Sequence, residues 1–96
     1  MKIQILSNAI DDISYGYIFY EKQNENKGSY FIESIRLDIE TLKKYYGIHE
    51  KKWKYYRLLS KKFPFAIYYQ FDKTTIYIHS ILDCRQNPEK IYKRLI

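Results

Sequence analysis

The chain has 96 residues, a formal net charge of +6, 46% hydrophobic residues and 29% charged residues. That length fits one domain spanning 1–96, and the apolar content suffices for a small core, which excludes a disordered chain. No apolar run approaches the ~20 residues that span a bilayer, and the apolar stretch after Met1-Lys2 is too brief for a signal-peptide core, so a cytoplasmic location is expected.

The N-terminal Lys2 to Leu6 alternates polar and apolar side chains, the period of a short half-buried strand. Ser7 or Asn8 then suits a helix cap, with Asp11 and Asp12 in the first turn, where carboxylates favour the positive end of the dipole. Ile10, Ile13, Tyr17 and Tyr20 repeat at helical spacing. The polar run Gln23 to Gly28 ends that helix. A second helix is predicted over about Ser29 to Tyr45, with Phe31, Ile35, Ile39 and Leu42 as its apolar stripe and Gly47 as a left-handed stop. Two helices joined by a few polar residues read as an αα-hairpin.

Trp53 to Leu59 is the next predicted strand. Lys61-Lys62 lies in a connection, and Pro64 bars a ladder N–H at its position. A β-hairpin follows, from Phe65 to Leu82, with Asp72-Lys73 as the expected loop. That loop pairs Tyr69 with Ile76 and Ile67 with Ile78 on one apolar face, shared by Phe71. Ala66, Tyr68, Gln70, Thr75, Tyr77 and His79 then occupy the opposite face, expected to be open. Asn87 and Pro88 suit the cap and first turn of a closing helix, Glu89 to Leu95. The order β-α-α-β-β-β-α predicts an α+β fold of two layers, with the helical hairpin on one face of a small, mostly antiparallel sheet.

Cys84 is the only cysteine. It cannot form an intramolecular disulfide and reads as a small packed residue at a strand end. The basic charge points to an anionic partner, whether nucleic acid, a nucleic-acid machine or an acidic protein segment. A codon bias toward A and T would by itself raise the lysine count. Glycine-rich phosphate loops and paired-His metal helices are absent, and His49 and His79 have no Cys partners in register. Neither a metal nor a cofactor is expected.

What the sequence does offer is a set of cations and aromatics around the second sheet face. Arg57 alternates with Tyr56 and Leu58, so it points away from the core. Lys61 and Lys62 flank it, Arg85 lies just past the last strand, and Tyr92 is on the last helix. Basic and aromatic side chains interleaved in this way can grip phosphates and stack bases. They could also cleave RNA without metal, which requires a base, an acid and cations for the charged phosphorane. His79 or a lysine would be the base, Tyr92 the acid, and Arg57 and Arg85 the stabilisers, with Lys61 a further candidate. As a binding surface the set is Arg57, Lys61, Lys62, Tyr68, Tyr77 and Arg85.

The runs Arg57-Leu58-Leu59-Ser60-Lys61-Lys62-Phe63-Pro64-Phe65-Ala66-Ile67-Tyr68-Tyr69 and Ile81-Leu82-Asp83-Cys84-Arg85-Gln86-Asn87-Pro88 resemble the RelE/ParE superfamily of type II toxin–antitoxin toxins. Ser7-Asn8-Ala9, Phe19-Tyr20-Glu21, Gly28 with Phe31, and Gly47-Ile48-His49 extend the resemblance over nearly the full length. It implies a growth-arresting bacterial toxin, a cognate antitoxin and a toxin–antitoxin hetero-oligomer. RelE-like members cut mRNA on the ribosome, whereas ParE-like members inhibit DNA gyrase and are not known as nucleases. The Phe-Pro-Phe-Ala-Ile-Tyr-Tyr spelling is closer to the ParE-like, plasmid-stabilisation branch. The nuclease branch commonly carries a strand cation where this chain has Phe65-Ala66. Gyrase is therefore the expected target and the leaning is toward a non-enzyme. The alternative is a RelE-like, ribosome-dependent mRNA interferase.

Overall fold

The computed structural model describes residues 1–96. Strand β1 (Lys2–Ile5) runs into α1 (Ser7–Gln23), followed by α2 (Lys27–Glu40) and a single turn, α3 (Leu42–Tyr45). Then come β2 (Lys51–Lys52), β3 (Tyr55–Leu59), β4 (Phe65–Phe71), β5 (Thr75–Asp83) and α4 (Pro88–Leu95). The strands form one sheet in the order β1-β5-β4-β3-β2. β1 is parallel to β5 and the other neighbours are antiparallel. This is the expected α+β arrangement, a helical hairpin on one face of a mostly antiparallel sheet. β2 was not foreseen. No helix is long and apolar enough to cross a membrane.

The first helix starts straight out of the strand. The Leu6 amide still donates to Ile78 O in the sheet, while Leu6 O already accepts from Ile10 N. Leu6 is thus the N-cap, without a side-chain cap bond. The expected Ser7 or Asn8 cap does not form, and Asp11 and Asp12 lie beyond the first turn. The buried face also differs from the predicted stripe. It is Ala9, Asp12, Gly16 and Tyr20, with Ile13 and Tyr17 half-buried and Ile10 51% exposed. The cause is close helix packing. A Cβ on Gly16 would lie 2.4 Å from Phe31 Cε2, and one on Gly28 would lie 2.7 Å from Tyr17 Cδ1. Small residues, not large apolar ones, permit that approach.

α2 begins two residues earlier than predicted. Asn26 turns left-handed at φ 69°, and the Glu21 carboxylate accepts from Asn26 N (3.1 Å) and Gly28 N (3.0 Å). Those bonds occupy amides that the new helix leaves without partners. Thr41, whose hydroxyl donates to Asp38 O at 2.6 Å, separates α2 from α3. Gly47 does take the left-handed conformation, at φ 86°.

The helical hairpin buries Phe31, Ile35, Ile39 and Leu42 against Phe63, Phe65, Ile67, Tyr69, Ile76, Ile78 and Ile81 of the sheet side. Phe31 sits edge-on to Phe63 and Phe65, with ring centroids 5.1 and 5.0 Å apart. Each such fully buried side chain contributes about 1.5–3 kcal/mol.

The β4–β5 register differs from expectation in two steps. Asp72 N bonds Thr75 O at 3.0 Å, which moves the loop one residue on, to Lys73-Thr74. Tyr69 therefore faces Ile78 and Phe71 faces Ile76. The Asp72 carboxylate explains the shift, since it accepts from Thr74 N, Thr75 N and the Tyr77 hydroxyl, an Asx turn that needs no glycine. Past Ile78 a bulge intervenes: Tyr68 pairs with Ser80 and Ile67 with Ile81, leaving His79 without a partner. The extra residue returns Ile81 to the core face.

The second sheet face is not open along its length. Tyr55, Ala66, Tyr68 and Leu82 form a small second core under Leu95 of α4, with Ile91 packed against it. Asn87 Oδ1 accepts from Glu89 N at 2.9 Å and Pro88 opens the helix, as the sequence predicts.

Two predictions follow from this packing. Gly16→Ala should destabilise the protein by about 1–3 kcal/mol in denaturant unfolding, despite alanine's better helix propensity, because Phe31 is buried and cannot yield. The Asp72 carboxyl is lowered to about 2, chiefly by the Thr74 amide, with the Tyr77 hydroxyl next. A lowered folded value means the turn contributes stability above the unfolded value near ~3.9, lost as pH falls through the folded one. An NMR titration should place the Asp72 midpoint near 2; an ordinary aspartate midpoint would show that the turn bonds are not formed.

Candidate protein-binding groove

Strand β3, next to the edge of the sheet, sets the site. Its alternation places Tyr56 and Leu58 against the main core and Tyr55 in the second one. Arg57 is opposite Tyr68 on β4. Between this strand pair and α4 lies a groove of about 490 Å³, lined by Lys52, Trp53, Arg57, Tyr68, Cys84, Pro88, Glu89, Ile91 and Tyr92. Arg57 is half-buried, and Tyr68 is only 3% exposed. Burial pushes the Tyr68 hydroxyl up, partly offset by the Arg57 charge. Cys84 is exposed rather than packed as expected, yet partial desolvation against the groove wall still raises its thiol, with Arg57 offsetting part of that, so the thiolate is disfavoured.

The rim comes from a turn that sequence periodicity did not show. Lys51 pairs with Tyr56 and Lys52 with Tyr55, so Trp53-Lys54 is the loop of a two-residue hairpin, not the start of a strand. Trp53 adopts φ 56°, uncommon for a bulky residue. Its ring lies 5.1 Å from that of Tyr92 across the groove mouth, with the Lys52 ammonium 5.4 Å from the indole. The one available signal was composition: a lone tryptophan inside Lys51-Lys52-Trp53-Lys54.

α4 is held at its far end by charge. Arg94 donates from both terminal nitrogens to Asp12, at 3.0 and 2.9 Å. Asp12 Oδ2 also accepts from Ile81 N at 2.9 Å. Asp12 is 8% exposed, so this is a buried carboxylate with three donors rather than a helix-dipole residue.

The remaining candidate residues are dispersed. Arg85 turns away from the groove although Cys84 lines it: its guanidinium grips Asp83 at 3.0 and 2.7 Å, which raises Arg85 and lowers Asp83. Lys61 and Lys62 are exposed on the helical-hairpin side, where Lys61 N donates to Asp38 and Lys62 lies 5.4 Å from the Tyr30 ring. Tyr77 is tied to Asp72 at the hairpin end. His79 sits 4.5 Å from the Tyr55 ring with Nδ1 2.6 Å from Ser80 Oγ. Burial, then Arg94 and Lys54, push it below the ordinary histidine range. Of the predicted residues, Arg57, Tyr68 and Tyr92 thus share the groove; Lys61, Lys62, Tyr77, His79 and Arg85 do not line it.

Arg94→Ala should loosen α4 and separate Tyr92 from Trp53. Because Trp53 is the only tryptophan, its emission should shift to the red, with a stability loss of about 3 kcal/mol, since Asp12 is left buried with one amide donor. Arg36→Ala, which removes an exposed pair, should change stability by less than ~0.5 kcal/mol and leave the emission unchanged.

No protein-family model and no curated relative matches the sequence. Among solved structures, a chain described as the chromosomal ParDE TA system from P. aeruginosa superposes with a TM-score of 0.75 at 17% identity, covering 84% of this chain and 92% of that one. The chain therefore has the RelE/ParE-like fold.

Proposed function

We propose that this chain is the toxin of a bacterial type II toxin–antitoxin module, a single-domain cytoplasmic protein that arrests growth by ParE-like inhibition of DNA gyrase and is neutralised by a cognate antitoxin. The shared fold with a ParDE chain supports the toxin assignment. The dispersal of the polar candidates supports a protein target over RNA. Metal-free RNA cleavage needs a base, an acid and cations around one phosphate. The groove has Arg57 and Tyr92, but His79 packs against Tyr55, Arg85 is bound to Asp83 and Lys61 is on the other side. Ala66, where the nuclease branch carries a cation, is fully buried in the second core.

RelE-like, ribosome-dependent mRNA cleavage is the second reading, favoured by Arg57 and Tyr92 facing one groove. Purified protein should inhibit gyrase supercoiling at micromolar concentration and leave translated mRNA without codon-linked cuts in primer extension. Intact supercoiling together with such cuts, abolished by Arg57→Ala, would reverse the assignment.

A further inference from the structure

Arg57 is the one arginine in the chain with no carboxylate partner. Arg36 is held by Glu33, Arg85 by Asp83 and Arg94 by Asp12, at 2.6, 2.7 and 2.9 Å. The fourth ion pair is Lys43 with Glu40, so none includes Arg57. Yet Arg57 is half-buried and lines the groove. A partly desolvated guanidinium is favourable when its fork meets a carboxylate, and here that position is left to a partner. A second feature points the same way. Trp53 is held left-handed at φ 56°, a strained setting for a bulky side chain, and 44% of the residue remains exposed at the groove mouth beside Tyr92.

We infer that the groove binds an extended acidic–apolar segment of the protein target, with a carboxylate on Arg57 and apolar side chains among Trp53, Ile91 and Tyr92. The identification of the segment's source rests on the toxin reading above. Charge complementarity sets the sign: Lys52 and Arg57 line the groove against a single carboxylate, Glu89. That carboxylate also separates a protein segment from nucleic acid. Glu89 lies in the first turn of α4 beside the groove, where it would repel a continuous phosphate chain. A peptide can place one carboxylate on Arg57 and present backbone N–H groups or a basic side chain to Glu89. The lining agrees, because the groove as a whole, with Trp53, Ile91 and Tyr92 at its mouth and wall, presents more apolar than polar surface. Aromatic and arginine side chains in a partly desolvated recess are the residue types that dominate protein–protein recognition.

The test uses Trp53 emission as the binding signal. A short, terminally blocked peptide alternating glutamate and leucine is titrated into the purified protein, beside its glutamine counterpart and a single-stranded RNA of equal length. The glutamate peptide should give a saturable change, and the glutamine peptide and the Arg57→Gln variant should each bind roughly tenfold more weakly or worse. Arg57→Gln should also lose growth arrest while keeping its melting temperature and its binding to the antitoxin. Tyr92→Ala should weaken the peptide with the charge intact. Tighter binding of RNA than peptide, or peptide binding indifferent to Arg57, would overturn the inference. So would loss of antitoxin binding with growth arrest retained, which would give the groove to the antitoxin. The gyrase assay separates the two proposals. Arg57-dependent peptide binding and growth arrest without gyrase inhibition removes gyrase and leaves the groove; gyrase inhibition equal in Arg57→Gln removes the groove and leaves gyrase.

Discussion

The Asp12 carboxylate joins three parts of the molecule that the rest of the structure depends on. β1 ends at Ile5, paired with Ile78, so β5 runs on past its parallel neighbour. The amide of Ile81 falls in that overhang, and Asp12 from α1 accepts it. A buried carboxylate with one amide donor would be costly; Arg94, from the far end of α4, brings the compensating charge. The same side chain therefore satisfies a strand edge, anchors the first helix and places the last one. A buried pair of this kind adds less net stability than its geometry suggests, because both charges lose water. What it specifies here is position. An apolar substitute could fill the space, but it would not hold both the Ile81 amide and α4.

From that position follows the division of the sheet into two differently used faces. The helical hairpin covers one face with aromatic and isoleucine side chains in close contact. On the other, an eight-residue helix, too short to be stable alone in water, is held by Leu95 over Tyr68 and Leu82 and by the Arg94 pair. It covers only part of the face. The uncovered edge, between α4 and the β2–β3 turn, becomes the groove. Its depth comes from the helix, its floor from Arg57 and Tyr68, and its rim from Trp53 and Tyr92. The groove is thus a consequence of partial coverage.

The parts legible in the sequence were those written as local periodicity. The α2 stripe, the alternation through Phe65 to Phe71, the left-handed Gly47 and the Asn87-Pro88 start each depend on residues a few positions apart. The α1 face was not legible in that way. Its contact is Gly16 against Phe31, and a glycine has no hydrophobic signal to read. The Asp12–Arg94 pair spans 82 positions, and nothing local marks either residue as its partner. Without that pair the second face had to read as open, which placed Tyr68 and His79 on an exposed surface. The hairpin register shifted because the Asp72 carboxylate, not a glycine, shapes the loop. The bulge at His79 then changed which residues face each other beyond it. In the groove, strand phase placed Arg57 and Tyr68 on the correct sheet face, and Tyr92 was legible only as a candidate on the last helix; the cover that buries Tyr68 was not. Nor was Trp53, because β2 is two residues long and gives no period.

Amide hydrogen exchange on Asp12→Ala against the unaltered protein tests the anchoring role of Asp12 most directly. The account predicts that Ile81 and the α4 amides lose protection together, while β4 and the Phe31 side of the helical hairpin keep theirs. Retained protection across α4 with only Ile81 exposed, or uniform loss over the whole chain, would contradict it.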